Sequence, residues 1–142
     1  MKGDFTIHVS KPPAEVFGYV ADLENAPQWV PDLVSVTKVS AGVVGVGTRY
    51  DEVVRMGGKE STAQLEVTEY EPDRTFAHKG QGGPAHFTGR FIVEPDKGGT
   101  RLRHEYTVEM TGFAKLMAPF ANSWVKKNTE AGLENLKRKL EG

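Results

Sequence analysis

The sequence predicts an α+β fold: a curved antiparallel sheet of about seven strands wrapped around a long C-terminal helix, with two short helices after the first strand. Three observations predict it. Thr100 to Met110 alternates cleanly, with Leu102, His104, Tyr106, Val108 and Met110 on one face and Arg101, Arg103, Glu105, Thr107 and Glu109 on the other. Several such stretches follow one another with short turns between them, the mark of an antiparallel meander with one wet face. Gly112 to Leu140 then has helical periodicity and is long enough, at roughly 40 Å, to cover the dry face.

Taken in order, Phe5, Ile7 and Val9 alternate with Thr6, His8 and Ser10, which predicts a half-buried first strand. Ser10-Lys11-Pro12-Pro13-Ala14-Glu15 reads as a helix start: Ser10 can cap, the prolines suit a first turn and Glu15 suits the helix dipole. Val16, Phe17 and Val20 give that helix its apolar side. Asp22 to Pro27 breaks it, and a second helical turn is expected around Pro27 to Val30, where Trp29 can plug the end of a barrel. Strands are expected at Leu33 to Val39, Thr48 to Met56, Glu60 to Tyr70, Arg74 to Lys79, Ala85 to Glu94 and Thr100 to Met110. Gly57-Gly58 signals a hairpin, Glu71-Pro72-Asp73 a turn, and Gly80 to Pro84 a flexible loop.

On the long helix, Lys115, Lys126, Glu130, Glu134, Lys137 and Arg138 share one side with Asn122 and Ser123. The opposite face has large flanks, with Phe113, Met117, Phe120 and Trp124 on one edge and Leu133, Leu136 and Leu140 on the other. Its centre is small: Ala114, Ala121, Val125 and Gly132, with Asn128 and Thr129 among them. A small centre between large flanks permits either close backbone approach or an unfilled space. Pro119 cannot donate to the carbonyl of Lys115. Either the helix kinks there, or it begins near Pro119 and Gly112 to Ala118 is a separate lead-in; both versions point to a movable lid.

The whole-chain properties bound the function. The 142 residues are the size of one domain, expected to span 1–142, and large enough for a real core. Eighteen Lys and Arg against nineteen Asp and Glu leave a net charge of −1, which gives no argument for nucleic acid or an anionic membrane surface. With no cysteine there is no disulfide framework, thiolate nucleophile or cysteine metal site. The N-terminal residues lack the apolar run of a signal peptide, and no stretch is apolar enough to span a bilayer. The expectation is a soluble cytoplasmic protein, monomer or homodimer, without nucleic-acid partner or transmembrane segment.

The order of elements resembles the helix-grip fold of the START-like superfamily. Specific stretches are similar to the polyketide cyclase/dehydrase-like (SRPBCC) family: Pro13 to Phe17, Asp22 to Pro31, Gly45-Val46-Gly47-Thr48-Arg49, and Val67 to Pro72. These are motifs of helix start, cavity end and turn, and they carry fold better than function. The resemblance implies a hydrophobic cavity between sheet and helix. It does not imply one reaction, since members include aromatases, cyclases, and lipid and hormone binders. It supplies no catalytic motif to carry over.

Candidate functional residues are inward-facing polar groups and the apolar wall around them. His104, on the apolar face of its strand, can transfer protons or orient a ligand near neutral pH, or can be a bonded core histidine. Glu52 is in phase with Tyr50, Val54 and Met56; pointing inward, it would be a desolvated general acid, and a register shift would turn it to solvent. Tyr106 is expected to pack with its hydroxyl satisfied. His78 is in phase with Phe76 near a strand end, and His86, beside the glycine-rich loop, is expected on the surface. Asn128 either bonds a ligand or bonds a sheet residue. Phe113, Met117, Phe120, Trp124, Phe87, Phe91 and Met110 form either an adaptable pocket wall or core. The expected ligand site is Trp29, Tyr50, Glu52, Val54, Phe87, Phe91, His104, Tyr106, Met117, Phe120, Ala121, Trp124 and Asn128, with His104 and Glu52 as catalytic candidates. The four histidines lack metal-ligand spacing, there is no phosphate loop or nucleophile elbow, and no metal or cofactor is expected.

Three functions follow as expectations. The first is binding or transport of a small hydrophobic or aromatic molecule between sheet and helix. The second is a cyclase, aromatase or dehydratase using cavity acid and base residues. The third is a protein-interaction module with a vestigial cavity, which needs an exposed apolar patch that the helical wheel does not show.

Overall fold

The fold is seen in a computed structural model that describes residues 1–142, the side chain of Ala118 excepted. Seven strands form one antiparallel sheet: β1 (Lys2–Val9), β2 (Leu33–Lys38), β3 (Arg49–Met56), β4 (Lys59–Glu71), β5 (Thr75–Gly82), β6 (Ala85–Asp96) and β7 (Gly99–Met110). Their spatial order is β1-β7-β6-β5-β4-β3-β2, so β2 through β7 form a meander and β1 closes against the last strand. Between β1 and β2 lie α1 (Pro13–Val20) and a 3-10 helix, Leu23–Gln28. After β7 come a second 3-10 helix, Gly112–Met117, and the long α2, Ala118–Glu141.

Local chemistry explains where these elements start. The carbonyl of Pro12, not the side chain of Ser10, caps α1 and accepts from the amides of Glu15 and Val16. The Ser10 amide instead donates to Glu141 Oε2 at 2.8 Å, tying the end of α2 to the first strand. The second helical turn comes earlier than Pro27 to Val30 because the Asp22 carboxylate accepts from the Glu24 amide at 3.1 Å and starts it at Leu23. β5 runs past Lys79 to Gly82: the glycines expected to form a loop continue the ladder, with Gly80 opposite both Leu65 and Phe87. A Cβ on Gly80 would lie 2.3 Å from the Phe87 ring, so glycine here makes the slot for that ring. Of the two alternatives for Pro119, the structure has the separate lead-in. Gly112, at φ +65°, turns the chain out of β7, and Pro119 sits in the first turn of α2, where its missing N–H costs nothing.

The core lies at one end of the sheet, under α1 and the first 3-10 helix. Val9, Val16, Val20, Tyr50, Val67, Phe76 and Leu102 are buried there, and Leu133 and Leu136 bring the C-terminal half of α2 into it. Two asparagines seven residues apart, hence on one face of α2, clamp the helix to the preceding loop: Asn128 Nδ2 donates to Pro31 O at 3.0 Å and Asn135 Nδ2 to Trp29 O at 3.1 Å. The outer face of the sheet is polar and carries an ion-pair network in which Arg90 meets Glu69 and Glu105, and Arg103 meets Asp4 and Glu105. These pairs are solvent-exposed and add little each. Among the described residues, no helix is long and apolar enough to cross a membrane.

Candidate functional site

Strand periodicity sets the depth of each inward residue. On β3 the inward side chains run from Tyr50, buried at the closed end, through Glu52 to Val54 and Met56 at the hairpin end. On β7 they run from Leu102 in the core through His104 and Tyr106 to Val108 and Met110. Between this concave face and α2 lie two adjoining lobes. The larger, about 320 Å³, reaches the hairpin end past Val54, Ala85, Val108, Ala121 and Trp124. The smaller, about 150 Å³, points to the closed end, against Leu23, Trp29, Val36, Leu65 and Phe91. Glu52, His78, Phe87, His104, Asn128 and Thr129 belong to the walls of both, so a polar girdle stands where the lobes meet.

The girdle side chains are half-buried, and three of them each hold one buried, unpartnered atom. Glu52 Oε2 and the Nδ1 atoms of His78 and His104 are inaccessible and have no hydrogen-bond partner within the protein. His104 lies flat on Phe91, centroids 4.3 Å apart and planes 5° apart, and His78 leans on Phe76 at 6.1 Å. Burial pushes the Glu52 carboxyl up to about 7 and the His78 imidazole down to about 4. Burial, with the neighbouring His78, takes His104 down to about 3. Near neutral pH the two imidazoles are uncharged and Glu52 titrates in the physiological range. Such a set contains a carboxyl able to donate or accept a proton beside two neutral bases.

Of the thirteen residues the sequence marks for the site, ten line one or both lobes: Trp29, Glu52, Val54, Phe87, Phe91, His104, Tyr106, Ala121, Trp124 and Asn128. Three lie elsewhere. Tyr50 points inward but is buried under the first 3-10 helix, where desolvation and then the nearby Asp22 and Glu24 push its hydroxyl up to about 12. Met117 and Phe120 are exposed: Gly112–Met117 buries none of its side chains, and Phe120 in the first turn of α2 is left to solvent. With Phe113 and Leu116 they make an exposed apolar strip, which corrects the helical-wheel reading that no such patch exists. Asn128 Nδ2 donates to Pro31 O in the loop before β2 rather than to a sheet residue. Tyr106 stacks on Phe5 at 6.1 Å and is buried. His86 is exposed as expected.

His78 is the titratable girdle residue absent from the expected set, and Thr129 and several apolar wall residues are absent from it too. The signal for His78 is its phase with Phe76; β5 runs on to Gly82, whereas a strand ending at Lys79 places His78 near an end. Its neighbour across the ladder is Gly89, where a Cβ would come within 2.6 Å of the His78 ring. The missing side chain makes room for the imidazole over the sheet.

A family model described as polyketide cyclase/dehydrase and lipid transport matches residues 2–141. No curated protein sequence matches the chain. Among solved structures, TTHA0849 from Thermus thermophilus superposes with a TM-score of 0.83 at 22% identity, over 99% of this chain and 97% of that one. A START superfamily protein from Mycobacterium smegmatis gives 0.83 at 18% identity, over 99% and 97%. The Zhui aromatase/cyclase from Streptomyces sp. R1128 gives 0.79 at 17% identity, over 99% and 93%. At these identities the structural likeness speaks for the fold, the START or helix-grip architecture of sheet and C-terminal helix. With the family model spanning almost every residue, the chain belongs to the polyketide cyclase/dehydrase and lipid transport family.

Proposed function

We infer that the protein binds a small hydrophobic or aromatic molecule in the space between the sheet and α2. The observation that carries this reading is the pair of adjoining lobes, walled mostly by apolar side chains and left open beneath Ala121, Val125 and Asn128. A ligand burying ~200 Å² of apolar surface there gains about 5 kcal/mol before the costs of association. Its route in is the hairpin end, where Met56, Met110 and Trp124 line the larger lobe. Native mass spectrometry of the purified protein tests the reading. A co-purifying apolar molecule is the expected result. An empty protein whose tryptophan fluorescence ignores a panel of aromatic compounds would overturn it.

The convergence of Glu52, His78 and His104 on one girdle favours a second reading, an enzyme of the cyclase, aromatase or dehydratase type. An imidazole nitrogen would take a proton from the carbon next to a carbonyl, while the Glu52 carboxyl donates its own to the carbonyl oxygen to give the enol. Turnover unchanged by both His104→Ala and Glu52→Gln would remove these roles. The third reading, an interaction module, rests on the strip Phe113, Leu116, Met117 and Phe120, all exposed.

A further inference from the structure

The ligand's charge and one of its functional groups can be read from the girdle, given the cavity-binding reading above. Among the described residues lining either lobe there is no Lys or Arg, and Glu52 is the one carboxyl. The titratable groups lining the cavity with it are His78 on β5 and His104 and Tyr106 on β7; among the described residues α2 lines it with the uncharged polar groups Asn128 and Thr129. Glu130 of the same helix acts on Tyr106, whose hydroxyl is held above its ordinary value by burial and then by that carboxylate. Nothing on these walls neutralises a bound anion. A carboxylate or phosphate would sit in an apolar cavity beside the Glu52 carboxyl with no cation to meet it. An amine would find its countercharge only by ionising Glu52 inside the same apolar walls. A hydrocarbon fits the walls but covers the Glu52 carboxyl and the two imidazoles of the girdle without offering them a hydrogen-bond partner.

We propose that the cavity selects uncharged apolar molecules that carry a carbonyl oxygen, held by a hydrogen bond from the protonated Glu52 carboxyl, and that it rejects ionised lipids and acids. The apolar body of such a ligand occupies the larger lobe and its oxygen lies at the girdle, between the strand carrying Glu52 and the two imidazoles. The imidazoles, flat against Phe91 and leaning on Phe76, line the same girdle, and a ring nitrogen accepts from a hydroxyl where the ligand has one beside its carbonyl.

Three probes of nearly one shape test this: 2-acetylnaphthalene, 2-ethylnaphthalene and 2-naphthoate, titrated against the full chain by tryptophan fluorescence and calorimetry at pH 6 and pH 8.5. At pH 6 the ketone binds about 10-fold or more tighter than the hydrocarbon, and naphthoate weakest. At pH 8.5 the ketone's advantage disappears, because ionised Glu52 has no proton to donate and burial sets the midpoint at about 7. Glu52→Gln keeps a donor, so its ketone preference persists at both pH values. Glu52→Leu has no preference at either; if that variant does not fold, the pH dependence of the parent and its loss in Glu52→Gln decide the matter. Equal binding of ketone and hydrocarbon at pH 6, or naphthoate binding as tightly as the ketone, overturns the proposal while leaving a cavity that binds apolar molecules. No binding of any probe overturns both.

Discussion

At Glu52, His78 and His104 the same burial acts with opposite signs on stability. The folded chain holds the Glu52 proton up to about 7 whereas the unfolded chain releases it near 4.5, so this carboxyl destabilises the fold as pH rises through that window, by about 3 kcal/mol at most. The histidines are neutral when folded, down to about 4 and about 3, and take protons near 6.5 when unfolded. Their contribution is present above 6.5 and is lost as pH falls. From about pH 4.5 to 6.5 two unfolded-state histidine protons outweigh one folded-state glutamic acid proton, so stability rises, and above about 7 it levels off. Glu52→Gln is expected to raise Tm over the parent at pH 8, to match it near pH 4, and to steepen the acid limb. Thermal melts of the two proteins across that range check it; equal Tm at pH 8 would show that Glu52 carries no burial penalty. Strand phase puts His104 on the apolar face, leaves Glu52 open between cavity and solvent, and gives His78 a phase shared with Phe76. Their lack of partners is not legible in it, because whether a buried polar atom has a partner depends on what the other strands place opposite it.

The long helix divides into two halves with different work. Leu133 and Leu136 are in the core, while Phe113, Leu116, Met117 and Phe120 are exposed on the lead-in and the first turn. Leu136→Ala is therefore expected to cost about 2–5 kcal/mol and Phe120→Ala about 0.5 kcal/mol or less, measured by chemical denaturation. Comparable losses would mean the N-terminal half packs in solution as the C-terminal half does. The small centre of the helix, ambiguous in the sequence, has both meanings. At Gly132 it permits close approach, with Trp29 and Pro31 within 3.5–3.6 Å of where a Cβ would lie. At Ala121 and Val125 it leaves the larger lobe open. Periodicity alone cannot separate these, since both need small residues and differ only in what the sheet sends up to meet them.

For the molecule as a whole, the architecture is closed at one end and open at the other. α1, the first 3-10 helix and the C-terminal half of α2 close over the buried end, and the Asn128 and Asn135 clamps stop the helix from lifting there. At the other end Gly112–Met117 buries none of its side chains, and the chain just before it is tied by Thr111, whose amide donates to Pro84 O at 2.9 Å. If ligand enters past this segment, binding of an aromatic probe slows amide hydrogen exchange between residues 112 and 125 and leaves 133–140 unchanged. Slowing spread evenly along α2 would argue against passage at that end. The expectation that the Phe113 to Ala118 end moves is tested by the same experiment, apart from the Ala118 side chain, which lies outside the described residues.

Hydrophobic periodicity, turn residues and element order were enough to establish the α+β class, the meander and the helix across it, because each is written in neighbouring residues. Element boundaries moved by a few residues at Gly80 to Gly82 and at Asp22 to Leu23, where a ladder partner or a side-chain cap decided the end. The placing of Tyr50 in the core, of Met117 and Phe120 in solvent, and of His78 in the cavity came only from the tertiary structure. A one-dimensional pattern says which way a side chain points. Whether it then meets another side chain, a void or water depends on how far the helix stands from the sheet at that depth.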